Sequence, residues 1–534
     1  MPDGIARVDA ATLKGYLHDG KEIALLDARE EVPFDASHIM MASCVPVGRI
    51  ETIVGALLPR RSTRIVWCDD GETNLAARAA KRMIELGYTD VAVLEGGNAA
   101  WEKAGYRLYE GVHVPSKAFA EVIEHQAGTP HIPAEELKRM MDDGEDFVLF
   151  DTRTFEEYNV NSIPGAVSAP GAELVYRFKD LVPSPETTVV INCGGRTRSI
   201  IGAQSVIAAG YPNKVVSLTN GTQGWHLAGF EIIVGATKKA PDVSAEALAA
   251  SKEAAEGVAE RFAIPTIDGS TLKQYEAERD TRTLYVLDVR TAEEYVAGHL
   301  PGVKHIAGGQ LVQETDRHLA AWGARVVLVD DTGVRATMTA SWLKQMGWDV
   351  SVMPMDAVGG EMEKGACAAP VLGLDNAKAE FISVDELASD LDAGTAIVAD
   401  LNWSKAFFKE HIAGAWFLIR SRLADDIGAL PNAEMIVLTS PDGALAQLAA
   451  AEAAKVAGVP VKVLKGGTAA WAKAGKPLTK GQENLASAVE DIRIRAREKD
   501  VDMEEAMKAY LTWEVELVNQ MATDDDQRFQ IKAS

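Results

Sequence analysis

Four tandem α/β domains, each a parallel sheet covered by helices on both faces, followed by a helical C-terminal tail, are the fold that this sequence predicts. Three observations predict it. An aspartate ending a short apolar run recurs at Asp27, Asp151, Asp288 and Asp400. Eleven residues after each come His38, Ser162, His299 and His411, leading into Ile39, Ile163, Leu300 and Ile412. A glycine turn followed by tryptophan closes three copies, at Gly96-Gly97 with Trp101, Gly221 with Trp225, and Gly466-Gly467 with Trp471. Self-similarity at a fixed period marks a repeat architecture. Apolar runs such as Tyr285-Val286-Leu287 alternating with helical segments indicate parallel sheets buried on both faces. A chain of 534 residues is too long for one core, but it suits four units of roughly 100 to 130 residues.

In chain order, the first domain is expected at 1–112, and 113–130 is a linker to the second at 131–235. Residues 236–262 are rich in Ala and Glu over Pro241 to Arg261 and read as a linker helix. The third domain, 263–372, keeps Gly359-Gly360 but has no closing tryptophan, and so is degenerate. The fourth, 373–480, has Asn402 where the others have Arg29, Arg153 and Arg290. The tail, 481–534, carries Ile492, Ile494, Met503, Met507, Leu511, Trp513 and Val515 among charges between Glu483 and Gln520. It reads as two helices docked on the repeats or on a second subunit, which leaves open a homo-oligomer formed through the tail.

A net charge of −24 argues against nucleic acid and anionic membrane as partners. No basic leader precedes the first repeat, and no apolar run approaches the roughly 18 to 20 residues that span a bilayer, so a cytoplasmic protein is expected. Four cysteines without a C-x-x-C pair or a histidine cluster give neither a disulfide framework nor a zinc site. No metal or other cofactor is expected.

The chemistry is concentrated at Cys193. Val189-Val190-Ile191-Asn192 reads as a buried strand, and Ile200 to Gly210 as a helix with a glycine stop, so Cys193-Gly194-Gly195-Arg196-Thr197-Arg198-Ser199 forms the turn between them. The helix N-terminus and the two arginines are expected to lower the thiol pKa. The glycines are expected to curl the backbone into an anion-binding nest. A buried structural cysteine is the ordinary reading of a lone thiol. Two arginines so close to it in the turn favour a reactive one.

This loop resembles the active-site loop of rhodaneses, sulfurtransferases that shuttle sulfane sulfur through a cysteine persulfide. Asp151-Thr152-Arg153 with Glu156-Glu157-Tyr158 and Ile163-Pro164-Gly165-Ala166 resembles the family's opening signature, and Asn220-Gly221-Thr222-Gln223-Gly224-Trp225 its closing one. The resemblance implies Cys193 as nucleophile and Gly194, Gly195, Arg196, Thr197, Arg198 and Ser199 as the residues that bind substrate. Asp151 and Arg153, which recur in other copies, read as an ion pair bracing the sheet beneath the loop.

Counting the same distance along the chain from each opening aspartate sets Cys193 level with Asp69 and Asp330, and the shorter fourth copy brings Ser440 there. Cys68 falls one position early, level with Asn192, beside Asp69, Asp70 and Glu72, which would raise its pKa. Only the second domain is therefore expected to be active. His38, His299 and His411 sit in the three silent copies and read as structural; Trp225 reads as packing.

By resemblance, the reaction is transfer from thiosulfate or a related sulfur anion to cyanide or a thiol. A non-enzymatic persulfide carrier or scaffold is the alternative. A mercaptopyruvate sulfurtransferase is the second, weakened because that group's Cys-Gly-x-Gly-Val-Thr loop is not reproduced. Four residues separate Cys193 from Arg198, one fewer than in the phosphatases that share this fold.

Overall fold

The computed structural model describes residues 4–493 and 502–532. Its chain divides into two compact units. One comprises Met1–Leu13, Ala24–Val112 and Ala369–Ile494, and the other Lys14–Ile23, His113–Ala368 and Arg495–Ser534. Most of the first repeat and the fourth thus fall in one unit, and the second and third, with Lys14–Ile23 of the first and the end of the tail, in the other.

In the second repeat the strands His131–Ile132, Val215–Leu218, Thr188–Asn192, Phe147–Asp151 and Val167–Ser168 lie in that spatial order, all parallel. The alternation expected of a strand buried on both faces is visible along Val189-Val190-Ile191. Val190 packs with Leu137, Tyr158 and Trp225 on one face, while Val189 and Ile191 pack with Leu174, Phe178 and Val206 on the other. The first and fourth repeats show the same strand order. The degenerate third repeat keeps a four-stranded sheet, with a single parallel bridge from Thr266 to Val352 at its edge.

Three repeated motifs hold these domains. The arginine of each opening pair grips its aspartate: Arg153 donates to Asp151 at 2.9 and 2.6 Å, and Arg29 to Asp27 and Arg290 to Asp288 likewise. His38, His299 and His411 each bond through Nδ1 to the carbonyl four residues back, on Phe34, Tyr295 and Phe407, and stack on that residue's ring. These contacts tie each imidazole to the chain four residues before it. The indoles of Trp101, Trp225 and Trp471 each donate to a carbonyl six residues on.

Within the unit of the first and fourth repeats, Arg420 donates to the buried Glu51 carboxylate at 2.8 and 3.1 Å, and the Arg49 guanidinium lies 3.6 Å over the Trp403 ring. Within the other unit the helix Ala245–Phe262, foreseen as a linker helix, packs against both Glu173–Leu181 of the second repeat and Val334–Gln345 of the third. The linker 113–130 contains a helix, Val114–Ala127, largely buried. Among the described residues of the tail one helix, Met503–Met521, is present, and Glu483 to Arg493 is irregular; the expectation of a second helix falls in part on residues 494–501, which lie outside the described residues. Ile494 lies outside the described residues.

Candidate functional site

Parallel pairing sets Asn192 opposite Asp151, so Cys193 is the first residue beyond the strand end. The same register sets Cys68 opposite Asp27, Val329 opposite Asp288 and Thr439 opposite Asp400. Asp69, Asp330 and Ser440 therefore occupy the place of Cys193 in the other repeats, as the count along the chain predicts. Cys68 is fully buried inside its sheet, and burial and then Asp27 push its thiol well above the ordinary range.

What these loops hold is informative. Asp69 accepts from the amides of Gly71 at 2.9 Å and Ala76 at 3.0 Å, and Asp330 from those of Arg335 at 2.9 Å and Ala336 at 3.2 Å. Ser440 Oγ accepts from the Ala446 amide at 3.3 Å. The strand-to-helix loop is a cradle for negative charge, and in the first and third repeats a carboxylate already fills it.

In the second repeat the thiol stands at that place, 2% exposed. Cys193 Sγ faces Ser199 Oγ at 3.6 Å, and Ser199 Oγ donates to the Arg196 carbonyl at 2.8 Å. The helix Thr197–Ala208 begins within the loop and directs its first turn at the sulfur. The expected lowering of the thiol pKa is corrected here. Burial raises it above its ordinary value, against the opposing pull of Arg198 and of the Ser199 hydroxyl and amide, while Glu514 adds to the rise.

The two arginines part company. Arg198 donates to Glu157 at 2.6 Å and to Gln310 Oε1 at 3.2 Å, and its charge acts on Cys193. Arg196, expected to bind substrate, instead turns to the linker helix, donating to Glu121 at 2.7 and 2.8 Å and also to Glu124. Its charge is spent on two carboxylates. The loop glycines also act differently from the expectation: neither Gly194 nor Gly195 takes a left-handed conformation. Gly195 is needed for space, since a Cβ there would lie 3.0 Å from Glu514 Oε2 and 3.4 Å from the Tyr510 ring. Gly221 does take positive φ, +53°, and a Cβ there would also meet the Cys193 carbonyl oxygen at 2.4 Å. Thr222 next to it donates to that carbonyl through its amide at 2.8 Å and its hydroxyl at 3.0 Å, holding the loop down.

Thr197 is buried, with Oγ1 donating to Glu514 Oε1 at 3.4 Å. Asp151 and Arg153 lie beneath the loop as read, tied to it by Asn192 Nδ2, which donates to Asp151 at 3.2 Å. Glu157, Gln310 and Glu514 were not singled out from the sequence. Glu157 stood inside a quoted motif, whereas Gln310 and Glu514 come from other parts of the chain and carry no local signal.

The second repeat is thus a thiol-bearing α/β domain whose cysteine heads an anion cradle, accompanied by three copies in which that cysteine is replaced. A family model for the rhodanese-like domain matches residues 9–104, 133–228, 271–356 and 383–474, and the chain belongs to the rhodanese family. A solved structure described as a thiosulfate sulfurtransferase from Pseudomonas aeruginosa superposes with a TM-score of 0.94 at 45% identity, covering 99% of this chain and 100% of that one. Among curated proteins, the "probable adenylyltransferase/sulfurtransferase MoeZ" of Mycobacterium tuberculosis is 35% identical over 92 residues, 17% of this chain and 23% of that protein. The chain thus spans about a quarter of that relative's length. Among the described residues no helix is long and apolar enough to cross a membrane.

Proposed function

We propose that the protein is a rhodanese-type sulfurtransferase that moves sulfane sulfur from thiosulfate or a related anion to cyanide or a thiol through a persulfide on Cys193. The observation that carries this reading is the substitution pattern at one loop position. Where the cradle holds Asp69 or Asp330 it is filled by a carboxylate, and only in the second repeat does it present sulfur.

In the first half-reaction the Cys193 thiolate, its proton released to solvent, attacks the outer sulfur of thiosulfate. A bond forms to Cys193, the donor S–S bond breaks, and sulfite leaves with that electron pair. In the second, the acceptor attacks the terminal sulfur, the persulfide bond breaks, and the thiolate is restored. The Ser199 amide and hydroxyl and the Arg198 charge favour the anionic form of the sulfur in both. Asp151 and Arg153 keep the sheet end from which the loop springs in place.

Treatment with thiosulfate should add the mass of one sulfur to the peptide carrying Cys193, and cyanide should remove it. Cys193→Ser should abolish turnover, whereas Cys68→Ser should leave it nearly intact. Turnover by the Cys193→Ser protein would place the chemistry elsewhere.

A further inference from the structure

The helix Met503–Met521 lies against Val114–Ala127 and brings Glu514 against Gly195 and Thr197 of the Cys193 loop. This carboxylate is 1% exposed. Its Oε1 accepts from the Tyr510 hydroxyl at 2.7 Å and from Thr197 Oγ1 at 3.4 Å. Its Oε2, the oxygen facing Gly195, is buried with no hydrogen-bond partner among the described residues. A buried carboxylate oxygen left unpaired costs stability, and such a group calls for an explanation. An apolar side chain at this position would cost less.

The surrounding charges are balanced. Lys117 stands beside the tail helix, 5.3 Å from the Tyr510 ring and 4.9 Å from the Trp513 ring, and burial pushes the Glu514 carboxyl above its ordinary value while Lys117, the Tyr510 hydroxyl and Arg196 favour its charged form. Glu121 and Glu124 occupy Arg196. Gly195 supplies the room that Oε2 uses, so the loop and the tail fit one another at this point.

We infer that Glu514 is a specificity-determining residue. Its carboxylate stands over the cradle that holds Cys193 and disfavours multiply charged anionic donors relative to donors whose reacting end is neutral. The site therefore combines an attractive cation, Arg198, with a repulsive carboxylate, and selectivity comes from both. The class of donor favoured is a neutral or singly charged persulfide or polysulfide, with small dianions such as thiosulfate handicapped.

This inference rests on Cys193 being the sulfur-carrying nucleophile, but its test need not. Alkylation of Cys193 in the full chain at pH 8 with iodoacetate and with iodoacetamide, read by peptide mass, reports the local charge whether or not sulfur is transferred. In Glu514→Gln the iodoacetate to iodoacetamide rate ratio should rise about five- to tenfold, as expected on removing a like charge at short range. Glu514→Ala, which also removes the hydrogen bonds, should shift the ratio in the same direction. Turnover should follow, with kcat/KM for thiosulfate raised and that for a neutral persulfide little changed. An unchanged alkylation ratio in both variants, or equal protection from both reagents in wild type and variants alike, would overturn the inference. Absence of sulfur transfer by the wild-type protein, with the ratio still shifted in the variants, would count against the sulfurtransferase reading alone.

Discussion

Arg198 and Arg335 stand at the same place in consecutive repeats, and each reaches into the other's domain. Arg198 donates to Gln310 at 3.2 Å, and Arg335 to Glu173 at 3.2 Å; Glu173 and Gln310 are likewise at equivalent positions of their repeats. The second and third repeats thus exchange equivalent contacts, but their charges differ. Arg335 is enclosed by three carboxylates, Glu173, Glu294 and Asp331. Arg198 meets one carboxylate, Glu157, and the neutral amide of Gln310. The positive charge neutralised in the third repeat is left in part for the Cys193 sulfur in the second. The third repeat therefore contributes a side chain to the charged surroundings of Cys193.

Converting Gln310 to Glu should give Arg198 the environment of Arg335. With a second carboxylate on the guanidinium, kcat/KM for thiosulfate should fall about tenfold, roughly 1.4 kcal/mol. An uncharged donor should lose much less. Steady-state kinetics with the two donors checks this, and equal losses would indicate that the loop has been distorted instead.

The Cys193 thiol should titrate above the ordinary thiol range, because burial disfavours the thiolate more than Arg198 and Ser199 favour it. Since only the thiolate reacts, alkylation by iodoacetamide should still be accelerating at a pH where a free cysteine, with its pKa of about 8.5, has reached its plateau. Arg198→Gln should move the midpoint further up. A midpoint below that of a free thiol would show that the helix N-terminus and the cations outweigh burial after all.

Much of this arrangement was legible in the sequence for a definite reason: sheet register is carried by local patterns. The aspartate at each strand end and the spacing to the next strand place Cys193 just past its strand and Cys68 within its own, and the pairing of Asp151 with Asn192 and of Asp27 with Cys68 matches. Histidines repeated at one position were readable as structural for the same reason. The balance of charge around the thiol was not legible. The family resemblance implies Arg196 as a substrate-binding residue, but its partners Glu121 and Glu124 lie 75 and 72 residues away. Glu514 lies 317 residues along the chain from Thr197, the loop residue that it accepts from. It belongs to a tail outside the repeat, where no periodicity indicates which residue faces inward. The sign of the thiol shift followed from burial, which a strand and turn pattern does not report.

Asp400 supplies a test in the other unit. Its repeat has Asn402 where the other three have an arginine, and burial, opposed by the Asn402 amide and by Arg49, raises the Asp400 carboxyl to about 7. Its Oδ2 has no hydrogen-bond partner among the described residues. A folded pKa above the unfolded value of about 3.9 means that this group's contribution is fully present below about pH 4 and is lost as pH rises through about 7. Asp400→Asn should therefore stabilise the protein at pH 8, on the order of 2–4 kcal/mol, and leave it nearly unchanged at pH 4. Urea unfolding at the two pH values checks the sign. Stabilisation at the acid end only would refute it.

Gly195 lies within the Cys193 loop and Gly221 packs against it, and alanine should affect them very differently. Gly221 lies at φ +53°, and a Cβ there would sit 2.4 Å from the Cys193 carbonyl oxygen, a backbone atom that cannot rotate away. Left-handed strain of about 1–2 kcal/mol adds to that clash. Gly221→Ala should cost roughly 3 kcal/mol or more and abolish turnover by displacing the loop. Gly195 has no left-handed conformation to lose, and its Cβ would meet the end of a flexible side chain, Glu514 Oε2, at 3.0 Å. Gly195→Ala should cost about 1 kcal/mol or less as Glu514 shifts by a few tenths of an ångström. The shifted tail should expose the thiol, so iodoacetamide should label Cys193 several-fold faster than in the wild type. Melting curves and labelling rates of the two variants, measured side by side, decide the point; a Gly195→Ala protein as unstable as Gly221→Ala would mean that the loop and the tail helix cannot yield independently.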